Sequence, residues 1–256
     1  MGWTTSWWKQ GIQPQNCELE QALHNAYRKY FTDHAGKKYL QRHATPEFIA
    51  GQVAVFRWYR EYLPEQGAIL DWGCRHAPDC CLLRTEFGSN VDLFGCDVFP
   101  DSRFASFHQS AGVHYKQLSD AVTTPYSDAS FDAVIGSGVL EHVPMDYESL
   151  KEHYRILKTG GRLIISYLPN QKSVSEWWAR HVRKDGYHIR LYHLDEIKRM
   201  LQRVGFRVLS AGYQTRLDLL GNVQPSARIA RWLGRAMQGH RLTAGILVAA
   251  EKVDQF

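Results

Sequence analysis

The chain has no apolar run approaching the ~20 residues that cross a bilayer. It is also poor in cysteine. There are five in 256 residues, an odd number, and Cys80 and Cys81 are adjacent, which suits no disulfide framework. Cys74, His76, Cys80 and Cys81 do not have the usual spacing of a zinc site. They are read as turn and helix residues, and no metal site is expected. A reducing, cytoplasmic setting is the corresponding expectation. A large excess of one charge sign is lacking as well: the net charge is +5, and Lys and Arg are dispersed rather than gathered in a block. No nucleic-acid partner is expected on that balance. Met1 to Gln10 has tryptophans and one lysine but no apolar core before a small-residue cleavage site, so it is not read as a signal peptide. Repeats and low-complexity tracts are absent.

What is present suits a globular protein. Hydrophobic residues make up 44% and charged residues 22%, enough to build the core of one large domain with appendages. Two helical patterns come first. Leu19, Leu23, Ala26, Tyr27 and Tyr30 share one face, and Thr45-Pro46 offers an N-cap and first-turn proline before Phe48, Ile49, Val55, Phe56, Tyr59 and Tyr62. Pro64-Glu65-Gln66-Gly67 stops the second. Strand patterns then fall at 68–71, 91–96, 112–117, 131–136, 161–167, 206–213 and 243–250, with helical segments at 78–87, 101–109, 146–158 and 193–204. Thr159-Gly160-Gly161 reads as the C-terminal turn of the third of these helices. The alternation predicts an α/β fold with a mostly parallel sheet covered on both faces. The expected organisation is a helical cap over 1–66 and a main domain over 67–256, with 170–192 inserted over its site.

The site signal lies where two strand patterns end. Ala68-Ile69-Leu70-Asp71 breaks into Trp72-Gly73-Cys74, and Val91-Asp92-Leu93-Phe94-Gly95-Cys96 closes on Asp97. An acid at the end of a second parallel strand is placed to accept both hydroxyls of a ribose. A glycine-containing turn lets backbone N–H groups approach a charged group.

Further landmarks follow in order: Asp120, then Pro125-Tyr-Ser-Asp-Ala-Ser-Phe-Asp132, Val139-Leu-Glu-His-Val143, and Leu157-Lys-Thr-Gly-Gly-Arg-Leu-Ile-Ile-Ser166. Together with the two strand ends, over roughly residues 67–212, this ordered set resembles the class I S-adenosylmethionine-dependent methyltransferases, in their small-molecule branch. The resemblance implies a Rossmann-like fold with a seven-stranded, mainly parallel sheet. It implies S-adenosylmethionine as methyl donor and a small molecule or glycan as acceptor, with oxygen the expected atom. It also implies residue roles. Asp71 would hold the turn amides or, through water, the methionine ammonium, and Gly73 and Cys74 would form the turn. Asp97 would take the ribose, with Val98 beside the adenine. Asp120 would accept from the adenine amino group, and the Ala121 amide would face a ring nitrogen. Ser137 and Glu141 would complete the cofactor wall at the end of the fourth strand. His142 would be the general base, since an imidazole titrates near neutrality.

The first motif departs from the family pattern. Arg75 and Ala77 stand where glycines are usual. A left-handed backbone there costs about 1 kcal/mol or more without glycine. Arg75 would either pair with the cofactor carboxylate or block the pocket. A blocked pocket would mean a non-catalytic protein on the same fold. A nicotinamide dehydrogenase is disfavoured because no G-x-G-x-x-G follows the first strand. The acceptor wall is expected from the insert, through Trp177, Trp178, His181, Arg183, Lys184, Tyr187, His188 and Arg190. Late in the chain, Ile229, Trp232, Leu233 and Met237 form a helical stripe flanked by Arg228, Arg231 and Arg235. Residues 225–240 suit membrane-surface contact, but docking on the protein's own sheet or on a second copy is preferred.

Overall fold

The computed structural model describes residues 14–33, 41, 43–100, 104–184, 188–214 and 245–254. Helix α1 (Pro14–Asp33) and helix α2 (Pro46–Arg60) come first. Thr45 caps α2: its backbone is extended and its hydroxyl accepts from the Phe48 amide at 3.3 Å. Leu19, Leu23 and Tyr27 of α1, with Ile49, Val53, Phe56 and Tyr59 of α2, are buried in one apolar cluster with Ile69, Leu93, Ala133 and Ile135 of the sheet. Each such side chain contributes about 1.5–3 kcal/mol by leaving water.

The alternating region follows as β1 (Gly67–Trp72), α3 (Pro78–Phe87), β2 (Val91–Asp97), α4 (Ala105–Ala111), β3 (Val113–Gln117) and β4 (Phe131–Ser137). Then come α5 (Asp146–Ile156), β5 (Leu157–Pro169), α6 (Val174–Trp178), α7 (Leu194–Val204), β6 (Phe206–Gln214) and β7 (Gly245–Lys252). The seven strands lie in the order β3-β2-β1-β4-β5-β7-β6. β1 to β5 pair in parallel, while β7 runs antiparallel between β5 and β6. The expected seven-stranded, mainly parallel sheet is therefore the one observed. The order reverses beside β1, where Asp71 pairs with Gly95 on one side and Ile135 on the other. A crevice opens outside the carboxyl ends of strands at such a reversal.

Two boundaries differ from the sequence reading. Helix α5 ends at Ile156, and Leu157 already pairs with Phe131 of β4. The next matched pair is Ala133 with Arg162, so residues 158–161 bulge from the strand and Gly160 takes φ +77° there. Thr159-Gly160-Gly161 thus bends β5 rather than ending a helix. The helix expected at 101–109 is α4, beginning at Ala105. Among the described residues, no helix is long and apolar enough to cross a membrane. The stripe at 225–240 lies outside the described residues.

One core histidine makes the fold acid-sensitive. His153 of α5 is buried edge-on against Trp72 at 4.3 Å, and among the described residues neither ring nitrogen has a hydrogen-bond partner. Burial lowers its pKa from 6.5 to about 4. The unfolded chain binds this proton first as pH falls, so stability held above pH 6.5 drains away towards pH 4. His153→Phe is expected to gain on the wild type in thermal midpoint across that window. A gap that stays constant with pH would show that His153 does not titrate there.

Candidate active site

The turn after β1 is built around backbone bonds to β2. The Gly73 and Cys74 amides both donate to the Cys96 carbonyl, at 2.8 and 3.2 Å. The Ala77 amide donates to the Cys74 carbonyl at 2.6 Å. The Arg75 amide donates to Asp97 Oδ2 at 3.1 Å, and buried His108 donates from Nε2 to the Arg75 carbonyl at 2.6 Å. These bonds explain how the turn tolerates its missing glycines. Gly73, Arg75 and Ala77 all have left-handed backbones, with φ of +70°, +46° and +48°. Two of them are not glycine, and the surrounding bonds hold the conformation against that cost.

Acids crowd the same edge. Asp71 is fully buried, and burial together with the charges of Asp79 and Asp97 pushes its pKa well up. The Cys80 thiol donates to its Oδ2 at 3.5 Å. Asp79, in the first turn of α3, is raised by burial too, although Tyr59 donates to it at 2.5 Å and Ser137 also bonds it. Asp97 is buried, with Oδ1 accepting from the Phe99 amide at 3.3 Å. Each Asp97 oxygen bonds one amide and keeps a second lone-pair direction, so two hydroxyls remain acceptable. The Arg75 guanidinium lies over the Phe99 ring, 5.2 Å from its centroid.

At the end of β4, Ser137 accepts from Ser166 at 2.9 Å. A short 3-10 turn, Leu140–His142, then sets two neighbours in opposite environments. Glu141 is 8% exposed, and its Oε2 has no hydrogen-bond partner among the described residues. Burial raises its pKa to about 7. The His142 side chain is 68% exposed, with Nε2 3.8 Å from Glu141 Oε1. Partial burial, then His188 and Arg75 nearby, lower its pKa, which favours a neutral imidazole with an available lone pair.

The end of the segment expected to be an insert is tied to the turn after β4. Arg190 donates to the Val143 and Pro144 carbonyls at 2.7 and 2.9 Å and pairs with Asp146. Tyr192 donates to the Leu140 carbonyl at 3.3 Å. These ties bring His188 to 6.1 Å from His142, centroid to centroid. Trp177 and Trp178 are both exposed, and Trp177 stacks on His181 at 5.2 Å. A shallow cavity of about 250 Å³ lies beside Trp177, lined also by Gln171, Lys172, Ser173 and Val174.

The sequence-derived residues Asp71, Gly73, Cys74, Arg75, Asp97, Ser137, Glu141 and His142 thus share one edge, with Val98 exposed just beyond β2. Asp120 and Ala121 follow β3. Asp120 is exposed, and its Oδ1 accepts from the Val122 and Thr123 amides at 2.8 Å each, which lowers its pKa. One of its oxygens therefore serves its own turn. Cys74, His76, Cys80 and Cys81 do not act together: Cys80 bonds Asp71, while His76 meets the Tyr27 hydroxyl at 3.2 Å. Sequence reasoning missed Asp79, whose position after Pro78 looks like an ordinary first-turn acid. It missed Glu176 too, which bonds His188 at 2.7 Å and carries no local signal.

Strand order, a left-handed turn after β1 and acids closing β1 and β2 define a Rossmann-like methyltransferase fold of class I. A sequence profile of the methyltransferase domain matches residues 41–211, and the chain belongs to that family. It is 25% identical over 183 residues to O-methyltransferase cnsE of Penicillium expansum, an alignment covering 69% of this chain and 63% of that protein. It is 24% identical over 254 residues to O-methyltransferase resE of Aspergillus sclerotiorum, covering 89% and 88%. The fold matches phosphoethanolamine N-methyltransferase 2 of Haemonchus contortus, solved with S-adenosyl-L-methionine, with a TM-score of 0.55 and 17% identity, covering 89% of this chain and 60% of that one.

Proposed function

We propose that this chain transfers a methyl group from S-adenosylmethionine to an oxygen of a small molecule or glycan. The observation that carries the reading is the crowd of buried acids at the β1 and β2 ends. Asp71, Asp79 and Asp97 are all buried there, and burial with the neighbouring charges of Asp79 and Asp97 raises the Asp71 pKa, while burial raises that of Asp79. Like charges so placed favour a cationic ligand and oppose a pyrophosphate. S-adenosylmethionine supplies a methyl on a sulfonium and brings an ammonium besides, so its charges suit these acids. Arg75, on the same edge, is placed to answer a carboxylate. Two of the relatives described above are O-methyltransferases by name, which supports oxygen as the acceptor atom.

The protein's own part is alignment and exclusion of water. Held by Asp71, Arg75 and Asp97, S-adenosylmethionine would supply the acceptor oxygen with a methyl activated on a sulfonium, the leaving sulfur keeping the C–S electron pair. The acceptor proton goes to His142, whose exposed imidazole faces the acceptor side beside Glu141. The insert supplies the far wall through Trp177 and Trp178.

Asp97→Ala tests the cofactor half. It is expected to weaken S-adenosylhomocysteine by ~1.5–3 kcal/mol, the worth of hydrogen bonds to a charged group. Calorimetry on a variant with native circular dichroism measures this. An unchanged affinity would remove Asp97 from the site.

A further inference from the structure

Glu141, His142 and His188 offer three ligand atoms that lie within 4.8 Å of one another. They come from two separate elements, the turn after β4 and the end of the insert. We infer that they form a binding site for a divalent transition-metal ion on the acceptor side of the crevice.

Three independent features point there. First, Glu141 is 8% exposed and, among the described residues, its Oε2 has no hydrogen-bond partner. A buried carboxylate oxygen without a partner is costly, and a cation relieves it. Second, His188 is already held as a metal-ligating histidine is held. Its Nδ1 donates to Glu176 Oε1 at 2.7 Å, and its backbone amide donates to Glu176 Oε2 at 3.1 Å. That bond fixes the tautomer and leaves Nε2 with its lone pair, the arrangement in which an outer carboxylate orients a ligating imidazole. Third, Arg190 and Tyr192 lock the end of the insert onto residues 140–146, so the juxtaposition is built rather than accidental.

The donor set selects the metal class. Two imidazoles and one carboxylate suit zinc, iron, cobalt or manganese, and leave coordination positions open to a substrate. Bonds of about 2.0–2.2 Å require the ligand atoms to draw closer than they stand now. The exposed His142 side chain is free to rotate for this. A metal here deepens the methyltransferase reading, on which its role rests. It would select acceptors that offer an oxygen ligand, such as a phenol, an enol or a vicinal diol. His142 takes the acceptor proton while the metal site is empty and is a ligand when it is filled, since an imidazole committed to a metal takes no proton.

Metal-stripped, tag-free full-length protein titrated with Co2+ decides the matter, read by visible absorption and calorimetry. One saturating equivalent is expected. Binding should disappear in His188→Ala and weaken about 10–100-fold in Glu176→Gln, which removes only the orienting charge. Circular dichroism checks that the variants are folded. No saturable binding by the wild type overturns the site. So does Co2+ binding retained by the double variant His142→Ala/His188→Ala, which would assign the cobalt to cysteines or other histidines. Failure of the methyltransferase reading shows separately, as absence of S-adenosylhomocysteine binding while the cobalt titration is unchanged.

Discussion

His142→Ala is expected to lower turnover by ~10²–10⁴, the usual contribution of a positioned acid–base group, with cofactor affinity nearly unchanged. The imidazole is exposed at the end of the turn after β4, the side proposed for the acceptor, while Asp71 lies at the end of adjacent β1 and Asp97 at the end of β2 beyond it. Its loss should therefore act on the acceptor and not on the nucleotide. Release of S-adenosylhomocysteine, followed across a panel of phenolic and glycan acceptors, supplies the turnover. His188→Ala separates the two uses of His142. An equal loss in both variants belongs to a shared metal, whereas a much smaller loss at His188 belongs to His142 acting as base. Full activity in His142→Ala would leave the reaction to alignment alone.

Gly73→Ala is expected to destabilise the protein by about 2–5 kcal/mol, the sum of left-handed strain and overpacking. Gly73 has φ +70°, and a Cβ there would stand 2.5 and 2.7 Å from the two Val139 methyl carbons. Val139 begins the Leu-Glu-His turn, so the strain would fall between the β1 turn and the acceptor side. Val139→Ala in the same chain should recover the steric part and leave about 1–2 kcal/mol of backbone strain. Urea denaturation of the four proteins in this cycle measures both parts. A Gly73→Ala variant as stable as the wild type would mean that the turn can move.

The sheet was legible because its central strands, β1, β2, β4 and β5, are largely buried. Ile69-Leu70 and Val91 to Cys96 read as near-continuous apolar runs, and Asp71 and Asp97 stand out as the acids that end them. The end of α5 was not legible. Thr159-Gly160-Gly161 has the composition of a helix stop, but the pairing of Leu157 with Phe131 overrides it and puts the glycines in a bulge. The turn after β1 was legible in place but not in energy. Glycines are usual in the family at the positions of Arg75 and Ala77, and the bonds from Asp97 and His108 that hold Arg75 come from elements far along the chain. The Glu176–His188 pair was invisible for the same reason. Twelve residues apart in an irregular insert, the two meet only because Arg190 and Tyr192 dock that insert on the sheet.

Calorimetric titration of the wild-type chain with S-adenosylhomocysteine, and separately with NAD, tests the central claim most directly. The left-handed turn, Asp97 in its proposed role as ribose acceptor, and the buried acids Asp71 and Asp79 should together accept the first ligand and reject the second. Saturable, one-to-one heat with S-adenosylhomocysteine and none with NAD is the expected result. Heat with NAD would contradict the reading of the acids. Silence towards both ligands in the wild type, with S-adenosylhomocysteine binding restored in Arg75→Ala, would contradict it differently, showing a pocket that Arg75 keeps shut.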